Sequence, residues 1–391
     1  MKKLELLACA FVLAACGEPP EAPEVPPEMK ANLGVDFSNV RGLALGTSAG
    51  KQQLLTLDSS DQFQPVDLTT TGSGNPSAVY DTPKFVLVAV SGVTSEEQTC
   101  ESILVRKADS AQFCVPVAPS SPRLNNTAPV QWGGSGDILT LDGRTVLHRI
   151  DARTDSLQLT TLRFDGAELM SFAMNAADDV MVNLRQDNGS IVRVHPLSGN
   201  PLFITARSET CVFPGLAGSR DFYLGLGWSD RTTVEHVVGR ADGTYSAPTN
   251  VWSSGPSVWN DCGIVYRDQS RLIVLASLSL LEVVNPSGTP RVLSVPMKVA
   301  RGGSLFNWGQ DAEGLAFVTR YDLPELKPVP LLTAAPYRLG KVDVSPTGEV
   351  TFTATRLSDG VRVLGTLRGG KLTVSELTQS QPEIVTLVRI N

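Results

Sequence analysis

The sequence is built from short apolar runs that keep returning, each closed within a few residues by turn formers. Four of them are Phe85-Val86-Leu87-Val88-Ala89-Val90, Asp137-Ile138-Leu139-Thr140-Leu141, Asp179-Val180-Met181-Val182-Asn183-Leu184 and Asp221-Phe222-Tyr223-Leu224-Gly225-Leu226. Similar runs follow at 271–275, 314–318 and 348–352. From Ile138 onward they begin about every 34 to 50 residues, mostly in the forties, the length of one four-stranded propeller blade. Between them stand Asp142-Gly143, Asp187-Asn188-Gly189, Asp242-Gly243, Asp359-Gly360 and Gly369-Gly370, which supply the positive φ that tight hairpins need.

Several runs are apolar at consecutive positions, so both faces of the strand are covered, as when a blade is packed between two neighbours. A sandwich strand with one wet face would alternate more strictly. The expected fold is therefore all-β, a propeller of four-stranded antiparallel blades at 40–70, 77–118, 129–163, 169–206, 211–252, 257–296, 304–334 and 340–378. This gives eight blades, or seven if the ragged first and seventh units are not counted apart. The first unit is one strand short, and 384–390 (IVTLVRI) is left over at the end, so the last segment is expected to complete the first blade. Residues 167–177 (AELMSFAMNAA) carry helical propensity but occupy an inner-strand position in the repeat, and the repeat predicts a strand there.

Ahead of this body, Lys2 and Lys3 precede an apolar core at 6–13 that is too short to span a bilayer. Leu13-Ala14-Ala15-Cys16 follows and resembles the lipobox of bacterial lipoproteins. That resemblance implies removal of residues 1–15, acylation of Cys16, and, with Gly17 next to it, an outer-membrane protein facing the periplasm or the cell surface. Several acyl chains anchor durably where one is marginal. Residues 17–28 (GEPPEAPEVPPE) hold five prolines and four glutamates, an extended spacer with a reach of roughly 35 Å. The domain plan is a signal peptide at 1–15, a lipidated linker at 16–39 and one propeller at 40–391.

With Cys9 removed and Cys16 acylated, Cys100, Cys114, Cys211 and Cys262 remain for an oxidising compartment. Four cysteines allow three connectivities. The repeat frame places Cys100 and Cys114 on successive strands of one blade, and Cys211 and Cys262 on inner strands of consecutive blades. It predicts Cys100–Cys114 and Cys211 with Cys262.

Catalytic and metal chemistry leave little trace. His148, His195 and His236 fall in different units without a second ligand at metal spacing. Gly46-Thr47-Ser48-Ala49-Gly50-Lys51 is one residue short of a phosphate loop and is followed by Gln52, not Ser or Thr. No G-x-S-x-G elbow occurs. Asp178-Asp179 is read as a turn whose carboxylates point apart. Lys and Arg total 33 against 40 Asp and Glu, for a net charge of −7, which argues against a nucleic-acid partner. No metal and no cofactor is expected.

Trp132, Trp259 and Trp308 each sit beside a polar turn near an inner strand, and form the candidate binding rim at a channel mouth. Core wedging is the commoner use of such indoles.

Arg149-Ile150-Asp151-Ala152-Arg153-Thr154-Asp155 and Pro196-Leu197-Ser198-Gly199-Asn200-Pro201-Leu202 resemble the turn of quinone-cofactor propeller repeats. The turn glycine is replaced by Asp155 in the first, and the closing tryptophan is missing from both. In layout the chain is similar to lipid-anchored and periplasmic propellers of the BamB and TolB types. The expected function is a non-enzymatic, lipid-anchored platform for an envelope protein. The alternatives are a polysaccharide-binding or polysaccharide-cleaving propeller using the channel mouth, and a surface adhesin.

Overall fold

The computed structural model describes residues 24–26, 28–29, 35–66, 68, 75–95, 98–120, 128–151, 157–206, 210–227, 232–254, 262–267, 271–276, 279–284, 291–293, 297–301, 303–323, 325–378 and 381–389. Its strands form eight antiparallel sheets, each a meander of four, with a fifth short strand on the second. These are the blades of a β-propeller. In chain order their first strands are Asn75–Asp81 (blade 2), Val130–Trp132 (3), Glu168–Met174 (4), Thr210–Pro214 (5), Cys262–Arg267 (6), Val299–Arg301 (7) and Tyr337–Val344 (8). Blade 1 takes its first strand from the far end of the chain: Glu383–Arg389 pairs with Val40–Ser48, with Leu43 opposite Val388. First strands abut between blades 1 and 2, 3 and 4, 4 and 5, 5 and 6, 6 and 7, and 8 and 1, which places them on the inner side of the blades, and each fourth strand lies at the far side of its sheet.

Apolar clusters fill the spaces between blades. Val86, Val88 and Ile103 meet Leu43, Leu45 and Leu54 between blades 1 and 2, and Phe306, Val318, Val350 and Phe352 meet between 7 and 8. Leu364 and Leu377 of blade 8 pack on Ala44, Leu55, Leu57 and Phe63 of blade 1. Burying one such side chain stabilises the fold by about 1.5–3 kcal/mol, and no single blade could bury both its faces alone. Residues 168–174 are a strand with six consecutive buried positions after Glu168. Tertiary packing on both sides overrides the helical propensity of Ala, Leu and Met there.

Polar groups add register between blades. Ser171 Oγ donates to Thr210 O at 2.8 Å and accepts from Val212 N, while Asn183 Nδ2 donates to the same carbonyl. Cys100–Cys114 joins neighbouring strands of blade 2, with Cα atoms 5.2 Å apart. A loop of that length contributes about 3 kcal/mol by the chain-entropy argument. Cys211 is also disulfide-bonded. The side chain of Cys262 lies outside the described residues, although its strand runs beside that of Cys211.

The linker departs from a free spacer. Glu24 bridges to Leu159 on the outer strand of blade 3, donating its N–H at 2.7 Å and accepting from Leu159 N at 2.5 Å. Glu28 and Met29 then pair with Phe113 and Gln112, on the outer strand of blade 2. An outer edge presents unpaired backbone groups, and an extended proline-rich chain meets them without rearranging.

Candidate functional site

Each blade has two ends. At the lower end the first strand turns into the second and the third into the fourth; at the upper end the second turns into the third. The densest polar chemistry among the described residues gathers at the lower end of blades 3, 4 and 5.

It is organised by three aspartates at positions 137, 179 and 221, spaced forty-two residues apart. Each is the last residue before a second strand. The backbone carbonyl of each closes the turn by accepting from its first N–H: Gly133 to Asp137, Asn175 to Asp179 and Gly215 to Asp221. Each aspartate N–H in turn donates to a side chain within the turn, namely Ser135 Oγ, Asn175 Oδ1 and Ser219 Oγ. With both backbone groups held, the point at which the carboxylate leaves the turn is the same in each blade.

What it meets there differs between blades. Asp137, fully buried, accepts Arg149 through Nε at 3.0 Å and Nη2 at 2.5 Å, and Ser135 Oγ at 2.7 Å. Asp179 holds Leu197 N–H on one oxygen and both Arg220 Nη2 (2.7 Å) and Tyr245 Oη (2.5 Å) on the other. Asn175 Nδ2 donates to Arg220 O and to Tyr245 Oη, which completes the phenol's partners. Burial and the Asp179 charge push the Tyr245 phenol well above its ordinary range. The hydrogen bond to Asp179 holds the Arg220 guanidinium above its usual value. Asp221 accepts Gly239 N–H at 2.9 Å and lies 3.1 Å from His236 Nε2. Burial works to raise the Asp221 carboxyl, but the His236 and Gly239 hydrogen bonds outweigh it and leave it below the usual carboxylate range. Tyr223 stacks on His236 with ring centroids 4.6 Å apart, and burial together with Asp221 lifts its phenol to about 12.

Neighbouring turns interlock. Asp178, at φ +63°, turns away from Asp179 and accepts Ser135 N–H of blade 3 at 3.3 Å. Gly133 and Gly134 pass so close to Asp178 and to the Ala176 carbonyl that neither position has room for a Cβ. His195 ends the third strand of blade 4, edge-on to Phe164 at 5.4 Å; burial, then the Arg193 charge, depress its imidazole to about 4. Arg267 ends the inner strand of blade 6 and buries its Nε without a hydrogen-bond partner among the described residues, and burial lowers it to about 10.

Chemically, Asp137 and Asp179 have their lone pairs occupied by cations, hydroxyls and backbone N–H groups, so they fasten turns. The Asp221–His236 pair is a quarter exposed, and among the described residues the one hydroxyl recorded on it, Ser219 Oγ, meets the Asp221 backbone N–H and neither side chain of the pair. Among the described residues no three His, Cys, Asp or Glu side chains come together as a metal site.

Of the three tryptophans expected at one mouth, the two described lie in different settings. Trp132 ends an inner strand at the lower end of blade 3 and is exposed. Trp308 lies in a second strand, two residues before its upper hairpin, packed partly buried into the core between blades 7 and 8. Trp259 lies outside the described residues, as does Cys16. The aspartates escaped the sequence reading as a site, although each heads one of the apolar runs that defined the repeat.

A scan of protein families and a search of characterised proteins find no match to this chain. Solved structures similar in part include a puromycin hydrolase S511A mutant complexed with PGG, with 13% identity, a TM-score of 0.46, and coverage of 78% of this chain and 55% of that one. A eukaryotic initiation factor shows 10% identity, a TM-score of 0.45 and coverage of 89% and 98%. Virginiamycin B lyase from Staphylococcus aureus shows 10% identity, a TM-score of 0.38 and coverage of 75% and 95%. The chain thus spans about half the length of the puromycin hydrolase. At such scores these likenesses carry no argument about activity.

Proposed function

We propose that this chain is a lipid-tethered cell-envelope propeller that serves as a non-enzymatic platform for another envelope protein. Acylation falls on Cys16, the leader is residues 1–15, and the outer membrane is the destination, in the layout of BamB- and TolB-type propellers. The observation that carries the reading is the use made of the lower-end carboxylates. The groups best suited to acid–base work, Asp137 and Asp179, are buried and committed to holding turns. Turns held in this way are preorganised, which lowers the entropic cost of docking a partner on the rim. Cys211 with Cys262 forms the second disulfide of this reading.

Two measurements test it. Metabolic palmitate labelling is expected in the wild-type chain and absent from Cys16→Ala. Affinity purification from detergent-solubilised envelopes is expected to return a stoichiometric protein partner; repeated recovery of the chain alone, correctly acylated, refutes the platform.

A further inference from the structure

Seven large apolar side chains are exposed among the described residues: Val25, Trp132, Leu197, Phe203, Val238, Leu357 and Val385. Scattered singly they would mean nothing, but five of the seven lie at the same end of three consecutive blades. Leu197 lies in the lower turn of blade 4 and Phe203 just after it, at the foot of that blade's outer strand. Val238 occupies the equivalent turn of blade 5, and Trp132 ends the inner strand of blade 3. Val25 follows the Glu24 bridge at the foot of the outer strand of blade 3. Phe203 is 63% exposed and Val25 65%.

The turns that present these residues are pinned. Asp179 holds the N–H of Leu197 itself, and Asp221 holds that of Gly239, next to Val238. The aspartate repeat therefore fixes an apolar rim in place.

The tether leaves from the same rim. Seven residues separate Cys16 from Glu24, a span of about 25 Å even when fully extended as polyproline II. Acyl chains on Cys16 thus hold the bilayer close to the lower outer corner of blade 3. The whole chain carries a net charge of −7, so net charge gives it no attraction to anionic headgroups, and the contact drawn here is apolar.

We infer that the lower rim of blades 3–5, led by Val25, Leu197 and Phe203 with Trp132 and Val238 behind them, is the membrane-contact surface of the tethered propeller. It rests on the proposed acylation at Cys16. Phe and Trp at the rim sit at the depth where headgroups meet acyl chains. The upper face, with Leu357 in a hairpin of blade 8, is turned away from the bilayer and left for a protein partner.

The test uses the acylated full-length mature protein in phosphatidylcholine vesicles carrying brominated acyl chains, which quench nearby indoles. Relative to wild type, Phe203→Trp is expected to add a tryptophan quenched about twofold or more, whereas Leu357→Trp adds one that is not quenched. Both positions are exposed, and unchanged thermal melting verifies that each variant folds. Equal quenching of the two, or none at Phe203→Trp in vesicle-bound protein, overturns the inference. Shielding of Phe203→Trp from aqueous iodide in native envelopes but not in pure lipid assigns the rim to a protein and also overturns it. Absence of palmitate on the wild-type chain is a separate result, and it removes the tether reading itself.

Discussion

The lower end of blades 3–5 and the junction of blades 8 and 1 solve the same problem with different electrostatics. At the junction, Glu349 stands where Asp137, Asp179 and Asp221 stand, just before a second strand, and Ser345 Oγ again takes its N–H. Its carboxylate is three-tenths exposed and shared: Arg41 Nη2 lies 3.5 Å away and Arg368 Nε 3.2 Å. Asp61, on a lower turn of blade 1, takes Arg41 at 2.5 Å. Water reaches Glu349 and Arg368 and screens their pair, while Arg41 and Asp61 are mostly buried, and the members of the network can substitute for one another. In blade 4 the equivalent carboxylate is sealed at 1% exposure, although the Arg220 that it holds reaches solvent. The same turn motif thus serves as a buried fastener in one region and as a surface ion pair in another, and burial decides which.

The largest expected effect is at Asp179. Asp179→Ala leaves Arg220, Tyr245 and Leu197 N–H without their acceptor and should cost about 3–5 kcal/mol in urea unfolding, against less than about 1 kcal/mol for Glu349→Ala. Equal costs would abolish the distinction between the two regions.

Next comes pH. The His195 imidazole titrates near 4 in the folded protein and near 6.5 in the unfolded chain, so the unfolded state binds more protons between those values. Stability is full above pH 6.5 and falls as the pH drops toward 4, by at most about 3 kcal/mol. His195→Gln should flatten that part of the stability–pH curve, measured by chemical denaturation at fixed ionic strength.

Gly134→Ala forces a methyl group against the Ala176 carbonyl and should cost about 1–3 kcal/mol. A thermal melt that does not move would show that the turns of blades 3 and 4 are not interlocked. The smallest effect is salt. Raising ionic strength to about 1 M should erase the contribution of Glu349 while leaving that of Asp179 nearly intact, a contrast read from the two alanine variants in parallel denaturation series.

The architecture was legible because a blade must be apolar on two faces, and such strands stand out as unbroken runs. The boundaries expected for blades 3 to 5 match the strands to within a few residues, and the leftover 384–390 segment predicted the partner of Val40–Ser48. The candidate site was not legible. Asp137, Asp179 and Asp221 stood only as the heads of apolar runs, since nothing in a local window tells whether a carboxylate will face solvent or, as with Asp179, an arginine forty-one positions away. For the same reason Trp132 and Trp308 could not be assigned to an end from sequence, because an indole beside a glycine reads alike at either end of a blade. The linker looked like a free stalk because composition reports extension but not the edge an extended chain will find.

Order along the chain was enough to set the repeat, the strand count and the pairing of the two ends, since each depends on local hydrophobic pattern and chain length. Which carboxylates are buried, which cations they hold and where the apolar rim lies were settled only when blades 3, 4 and 5 came side by side. Those properties belong to contacts between residues far apart in sequence, and desolvation acts only after such contacts have formed.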